Sequence, residues 1–328
     1  MRKRLVLLTG ATGLIGRHVA RKLASLPDVQ LVCVVRNGER HPRAAALLDE
    51  GAVVFAGNFY DATTIREIFE RYPIQQVIHL AAIRGGGGAS PLDFHEVNVK
   101  GTKRLLEAAY THQVQKFIFC SSVGVHGTIP VAVPAAIETA LNGDSQYHQS
   151  KIASEEAVQE YIKKGLNAYI VRPTITYGLE DDGFPQGLVR LVKAHLLWLP
   201  RSNHQIHLVD VEKVAEVFLH LALNDLDQRI FVIGDATPVA LRDVADWIHG
   251  HIYKRPYPTF LRLPDWLFQA AFVAFRGIGN EKWASRMALL SNDWHYQCAD
   301  TYRLLQIQPV PTREAFGRFL KEIAAPSR

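Results

Sequence analysis

Three glycines near the start of the chain limit its fold more than any later stretch does. Arg4 to Leu8 reads as a short apolar strand, and Thr9-Gly10-Ala11-Thr12-Gly13-Leu14-Ile15-Gly16 breaks it before the helical stretch Arg17 to Leu23. The spacing is G-x-x-G-x-x-G, and each glycine has a mechanical task. Gly10 lets the chain turn sharply off the strand, and Gly13 lets the backbone approach a diphosphate. Gly16 brings the helix against the sheet with its N-terminal amides toward an anion. Thr12, Leu14 and Ile15 complete the expected cofactor loop. Alone, three glycines also suit a plain strand-to-helix turn, so the rest of the chain must decide.

The remaining N-terminal half alternates in the way an α/β protein does. Leu31 to Val35 is a second strand and Val53 to Ala56 a third. Gln76 to Leu80 is a fourth, ending in Ala81-Ala82, and Lys116 to Cys120 is a fifth, running into Ser121-Ser122. Asn167 to Val171 is a sixth, ending in Arg172-Pro173. Between them the apolar spacing predicts helices over Thr64–Arg71, His95–Thr111 and Gln146–Lys163. The pattern predicts a doubly wound parallel Rossmann sheet, with ligands at the carboxyl ends of the strands. Gly10, Arg36, Ala81 and Ser122 all fall at such ends. The expected division is a dinucleotide-binding domain over 1–173 and a smaller, mainly C-terminal substrate-binding lobe over 174–328. Segments around 206–233 are expected to return to the main domain.

Beyond Pro173 the regularity fades. Helices are expected over Phe184–Leu197, Glu212–Leu223 and Leu241–Ile252, with strands over Ile206–Val211 and Arg229–Ile233. All five tryptophans lie in this half, outside the nucleotide lobe. Leu263 to Ile278 is apolar but interrupted by Asp265, Gln269 and Arg276. It is too broken to span a bilayer, and suits burial, a greasy pocket wall or contact with a membrane surface. The run Arg84-Gly85-Gly86-Gly87-Gly88-Ala89 is too rich in glycine for an element interior. It fits a loop that orders over a ligand or a plain exposed insertion.

Composition excludes several classes. With 37 basic and 32 acidic residues the formal charge is +5, and no basic-aromatic interleaving suggests a nucleic-acid groove. Cys33, Cys120 and Cys298 are distant and odd in number, which suits a reducing compartment and a cytoplasmic location. No His, Asp or Glu cluster has metal-ligand spacing. The four apolar residues after the basic N-terminus are too few for a signal peptide. A small-molecule substrate is the expected partner, and a homodimer is compatible with the chain.

The chemistry gathers at Tyr147-His148-Gln149-Ser150-Lys151. Tyr147 and Lys151 are four apart on a helix and share a face. An ammonium beside a phenol favours phenolate and should lower the phenol pKa. Such a tyrosine can protonate an alkoxide or remove a hydroxyl proton, Lys151 can also reach a nicotinamide ribose, and Ser122 can hold the reacting oxygen. After the second strand stands Arg36, where a fold that selects the unphosphorylated cofactor places an acid. A guanidinium there suits a 2′-phosphate, so NADP(H) is expected in preference to NAD(H). Arg40 or Arg43 can supply that charge instead, and Arg36 also reads as a solvated strand-end residue.

The chain resembles the extended short-chain dehydrogenase/reductase family, also described as the NAD-dependent epimerase/dehydratase family. The matching pieces are TGATGLIG at Thr9–Gly16, HLAA at His79–Ala82 and NVKGT at Asn98–Thr102. They continue with SSVGVHG at Ser121–Gly127, YHQSK at Tyr147–Lys151 and RPTITYG at Arg172–Gly178. The resemblance implies Tyr147 as acid/base, Lys151 as its electrostatic partner and Ser122 as the oxygen binder. It further implies Asn98 as support for the active-site helix, Asn58 at the adenine, Leu80, Ala81 and Ala82 along the cofactor, and Pro173 beside the nicotinamide. His126 stands where the family often has Tyr. Val123 and Gly124 stand where dehydratases of the family carry acids, which argues against dehydration. The C-terminal half is loosely similar to the 3β-hydroxysteroid dehydrogenase and dihydroflavonol reductase branches. The expected activity is therefore an NAD(P)-dependent reductase or dehydrogenase acting on a lipophilic or polycyclic ketone or alcohol. A nucleotide-sugar epimerase with tightly bound NAD is the alternative, and a non-catalytic nucleotide sensor is the third reading.

Overall fold

The computed structural model describes residues 3–84, 90–179 and 183–324; the glycine run at 85–88 lies outside them. The chain divides into two compact units, one holding residues 1–125, 146–173 and 214–231, the other 126–145, 174–213 and 232–328.

The first unit is built on β1 (Arg4–Thr9), β2 (Val29–Val35), β3 (Val53–Ala56), β4 (Gln76–His79), β5 (Lys116–Cys120) and β6 (Ala168–Pro173). With the strand Ile230–Ile233 at its edge, the sheet runs Ile230–Ile233, β6, β5, β4, β1, β2, β3. Every pair from β6 to β3 is parallel. These strands read as near-continuous apolar runs because helices cover both faces of a parallel sheet. The core joins Leu7, Val32, Val77, Phe117 and Ile170 of the sheet to Ile65, Ile68, Leu105, Leu106 and Val158 of the helices. The chain winds outward from β1 in one direction and from β4 in the other. The crevice therefore opens between β1 and β4, with Gly10 after one strand and Leu80 after the other.

Three elements depart from the sequence pattern. The helix expected from His95 begins at Pro91, where Ser90 and Asp93 form a capping box, and it passes through a π-helical stretch, Phe94–Lys100, before Gly101–Thr111. A search for a 3.6-residue period is blind to that widened turn. The helix Phe184–Lys193 stops short of Leu197 because His195 turns left-handed at φ 56°. The Leu196 amide then bonds back to the Leu191 carbonyl at 2.8 Å. The strand expected over Ile206–Val211 splits into Gln205–Ile206 and Leu208–Asp210. His207 interrupts it, its Nε2 donating to the Asp235 carbonyl at 2.9 Å and its Nδ1 accepting the Tyr296 amide at 3.3 Å.

The second unit holds the helices Phe184–Lys193, Leu241–Tyr253, Asp265–Gly277, Glu281–Leu290, Ala299–Leu305 and Thr312–Ala324 around short two-stranded pairings. At its centre the buried carboxylate of Asp235 accepts the Tyr177 hydroxyl at 2.8 Å and the Asp210 amide at 3.0 Å. Burial raises the Asp235 pKa to about 7. Among the described residues no helix is long and apolar enough to cross a membrane.

One charge pair fixes the helix Gln146–Lys163 to the sheet. Arg172 on β6 donates Nε to Glu155 Oε1 at 2.9 Å and a terminal nitrogen to Oε2 at 2.6 Å, and both side chains are buried. Removing one partner strands the other charge away from water. Arg172→Leu is expected to lower the unfolding free energy by about 3–5 kcal/mol. Arg172→Leu combined with Glu155→Leu should recover most of that loss, as read from urea midpoints.

Candidate active site

Gly10 adopts φ +77°, and a Cβ there would meet the Ala81 amide nitrogen at 2.7 Å. A Cβ on Gly16 would collide with the Gly10 carbonyl oxygen. The two residues thus hold the loop flat against β4 and against the helix Leu14–Ala24. That helix starts at Gly13 with no side-chain cap and no acid in its first turn. No side chain caps its leading amides, on Leu14, Ile15 and Gly16, which fits an incoming diphosphate. Arg43 reaches this loop as well, its guanidinium donating to the Thr12 carbonyl at 2.7 Å. Arg36 follows β2 and is exposed, Asn58 lies half-buried just after β3, and Leu80, Ala81 and Ala82 line the exit of β4 half-buried. Pro173 closes β6 in the interior. The residues present fit a dinucleotide.

The residues expected to carry the chemistry lie just after β5 and on the helix Gln146–Lys163. Ser122 follows β5, and its Oγ accepts the Gly124 amide at 3.0 Å. The Tyr147 phenol is hydrogen-bonded to Ser122. Lys151 is buried, and its ammonium donates to the Cys120 carbonyl at 2.8 Å. It lies 4.8 Å over the Phe119 ring and 5.9 Å from the centre of the Tyr147 ring.

The electrostatics correct one expectation. Burial pushes the Tyr147 phenol up to about 12, with Cys120 adding to the rise, while Arg84 and the Ser122 hydrogen bond pull the other way more weakly. The phenol is therefore a proton-bearing acid at neutral pH, not a ready phenolate. Burial also lowers Lys151 to about 8. Two ionisable groups removed from water are both driven toward their neutral forms.

Asn98 sits in the π-helical stretch and is 2% exposed. Its amide both donates to the Ile83 carbonyl and accepts the Ile83 amide at 2.9 Å. It also donates to Ser150 Oγ at 2.9 Å, and Ser150 in turn donates to the Tyr147 carbonyl at 2.8 Å. This ties the loop after β4 to the helix that carries Tyr147 and Lys151.

Residue types alone do not single out His79, Thr9, Thr102 or Ser150 as parts of this site. The Thr102 hydroxyl donates to the Asn98 carbonyl at 2.6 Å, so its oxygen accepts from His79 Nε2 at 2.9 Å. His79 Nδ1 then accepts the Thr9 hydroxyl at 2.7 Å, and Thr9 Oγ accepts the Ala81 amide at 3.3 Å. His148 reads in the sequence as no more than a titratable group. A Cβ on Gly124 would meet its Cδ2 and Nε2 at 2.5 Å, so the imidazole fills the room that Gly124 leaves beside Ser122. His126 belongs to the second unit, buried beside Tyr296. Cys33, Cys120 and Cys298 are free and buried. Among the described residues no group of His, Cys, Asp or Glu could hold a metal ion. A cavity lined by Phe69, Tyr72, Gln75, His112 and Gln115 lies toward the amino ends of β4 and β5, away from this chemistry. Ligands of parallel sheets sit at the opposite end.

Burial and the nearby Lys151 charge lower the His79 pKa from 6.5 to about 3. The folded state therefore binds fewer protons there than the unfolded chain. The resulting stability is present above pH 6.5 and is lost as the pH falls through about 3. Unfolding free energy between pH 6 and 4 should fall more steeply in the wild type than in His79→Asn, by up to about 1.4 kcal/mol per pH unit. Parallel slopes from urea titrations at several pH values would contradict this.

A model of the NAD dependent epimerase/dehydratase family matches residues 6–234. The UDP-glucose 4-epimerase of Erwinia amylovora is 33% identical over 164 residues, 48% of each chain. That of Vibrio cholerae is 30% identical over 275 residues, 80% of each. The chain thus spans about half the length of the first of these relatives and most of the second. Among solved structures, the Bordetella bronchiseptica enzyme WbmH in complex with NAD+ superposes with a TM-score of 0.75 at 17% identity, covering 98% of this chain and 99% of that one. This last likeness is one of fold. A family match over most of the chain, joined to the glycine loop and the Ser122, Tyr147 and Lys151 cluster, leads to one conclusion: the chain belongs to the NAD dependent epimerase/dehydratase family.

Proposed function

We propose that this protein moves a hydride between a bound nicotinamide dinucleotide and a carbon bearing a hydroxyl or carbonyl, and that it works as a nucleotide-sugar epimerase. The observation that carries this is the Ser122–Tyr147–Lys151 cluster on a chain similar over most of its length to a UDP-glucose 4-epimerase. The residue-level preference for a reductase of lipophilic ketones gives way here, because the sequence relatives weigh toward the epimerase. The cofactor, when bound, supplies the hydride acceptor and donor. The chain's own residues do the rest. Ser122 holds the substrate oxygen by a hydrogen bond. Tyr147, protonated through the neutral range, gives its proton to a developing alkoxide, and the phenolate that this leaves takes the proton of a substrate hydroxyl in the reverse direction. Lys151 keeps a positive charge near the phenol and stabilises it whenever it has lost its proton. An epimerase must also let the oxidised sugar turn and be reduced on its other face.

A second reading, a reductase that releases its cofactor, is favoured by the arginines. Arg36 is exposed after β2, and Arg43 already reaches the cofactor loop. Guanidinium groups in this region suit a 2′-phosphate and so a preference for NADP(H). An enzyme that returns its hydride in every cycle has no evident use for that phosphate. Cofactor choice therefore separates the readings.

UDP-galactose should be converted to UDP-glucose with no net change in nicotinamide absorbance. Tyr147→Phe should keep cofactor affinity and lose about 10²–10⁴-fold in turnover. Turnover should fall as the pH rises through about 8, because Lys151 carries its charge below that value and loses it above. Stoichiometric oxidation of NADPH by an apolar ketone without sugar conversion would replace the epimerase by the reductase. Full turnover in Tyr147→Phe would remove the phenol from its role in either.

A further inference from the structure

In the second unit the strands Leu199–Pro200 and Arg262–Leu263 pair in parallel and carry a surface that the proposed chemistry does not use. Leu197, Leu199 and Leu261 are buried, while their chain neighbours Trp198 and Phe260 are 43% and 77% exposed. Leu196 is 62% exposed, and Trp266, in the first turn of the Asp265–Gly277 helix just beyond the ribbon, is 63% exposed. Backbone bonds stitch these segments together. The Leu199 amide donates to Leu261 at 3.0 Å and the Arg201 amide to Leu263 at 3.1 Å. The Tyr257 hydroxyl accepts the Leu197 amide at 3.1 Å and donates to its carbonyl at 2.8 Å. Single exposed apolar side chains are ordinary, but two tryptophans, a phenylalanine and a leucine on segments joined by these bonds are not.

The exposed charges on these and the adjoining segments are mainly basic. Lys193, Arg201, Lys254 and Arg255 are all exposed. The acids there are already engaged. Asp265 accepts the Ser202 amide at 3.3 Å and lies 3.4 Å from His204, and Asp246 pairs with Arg242 and accepts the Tyr257 amide at 2.7 Å. These adjoining segments therefore offer exposed aromatics together with exposed cations, while the acids named are engaged elsewhere.

We propose that this face docks on an anionic lipid surface. Trp198, Phe260, Trp266 and Leu196 enter the interface, while Lys193, Arg201, Lys254 and Arg255 meet the headgroups. Tryptophan favours the membrane–water boundary, and long basic side chains bury their stems while keeping their charge at headgroup level. A second copy is a poor occupant, because an isologous contact would bring two cation-rich patches together. No described helix spans a membrane, so the docking is peripheral.

Flotation of the full-length protein tests this directly. One set of vesicles is phosphatidylcholine alone, and the other contains about a third phosphatidylglycerol. The protein should float with the anionic vesicles and much less with the neutral ones, and added salt should weaken the binding. Trp198→Ala with Trp266→Ala, and separately Lys254→Glu with Arg255→Glu, should each cut binding at least about tenfold. Thermal midpoint and cofactor affinity should be unchanged in both double variants. Failure to float, or flotation indifferent to both variants, overturns the proposal. So does a lipid-free dimer in sedimentation velocity that the tryptophan variant dissociates, since the face would then belong to a second copy.

Discussion

Much of the first unit hangs on one buried run of hydrogen bonds through His79. Parallel pairing sets Thr9 opposite His79, the last residues of β1 and β4. From there the run goes from the Ala81 amide through Thr9, His79 and Thr102 to the Asn98 carbonyl. The Asn98 side chain carries it on to Ser150 and the backbone of Tyr147. Each hydroxyl gives one proton and accepts another, so the imidazole is neutral with its hydrogen on Nε2. Protonation would set two donors against one another at the Thr9 end. A small polar network in a dry interior holds its geometry because every alternative leaves a group unpaired.

That rigidity matters because the chemistry needs groups from separated stretches of chain. The glycine loop belongs to β1, Ser122 to β5, and Tyr147 and Lys151 to a helix that follows a long excursion through the other unit. The π-helical turn at Phe94–Lys100 places Asn98 between them. Farther along the helix, the Arg172–Glu155 pair performs the same service from β6. Burial then sets the protonation states, with the phenol kept as an acid and the ammonium brought close to the neutral range. One environment prepares two opposite groups.

The alternation of short apolar strands and helices makes the parallel sheet legible, because buried strands and amphipathic helices differ in period. The Ser122, Tyr147 and Lys151 cluster is legible for a simpler reason, since Tyr147 and Lys151 share a helix and Ser122 ends a strand. His79 is hidden: its motif is visible, but a buried histidine acquires a role only through partners distant in sequence. The room Gly124 leaves for His148 is equally invisible, being a matter of shape. The phenol pKa escapes a reading of residues because the sequence displays the nearby lysine but not the depth of burial that outweighs it. Arg43 illustrates the intermediate case. It is one of three candidates near the second strand, and its bond to Thr12 is what sets it apart.

The proposed epimerisation rests on the substrate carbon giving up a hydride, which is then returned, and not a proton. UDP-galactose carrying deuterium at the epimerised carbon distinguishes the two, with the product UDP-glucose examined by mass spectrometry and NMR. The label should stay on that carbon at full occupancy in ordinary water, because a hydride held on the cofactor does not exchange with solvent. Loss of the label to water would mean that the carbon is deprotonated. The roles assigned to Tyr147 and the cofactor loop would then be wrong.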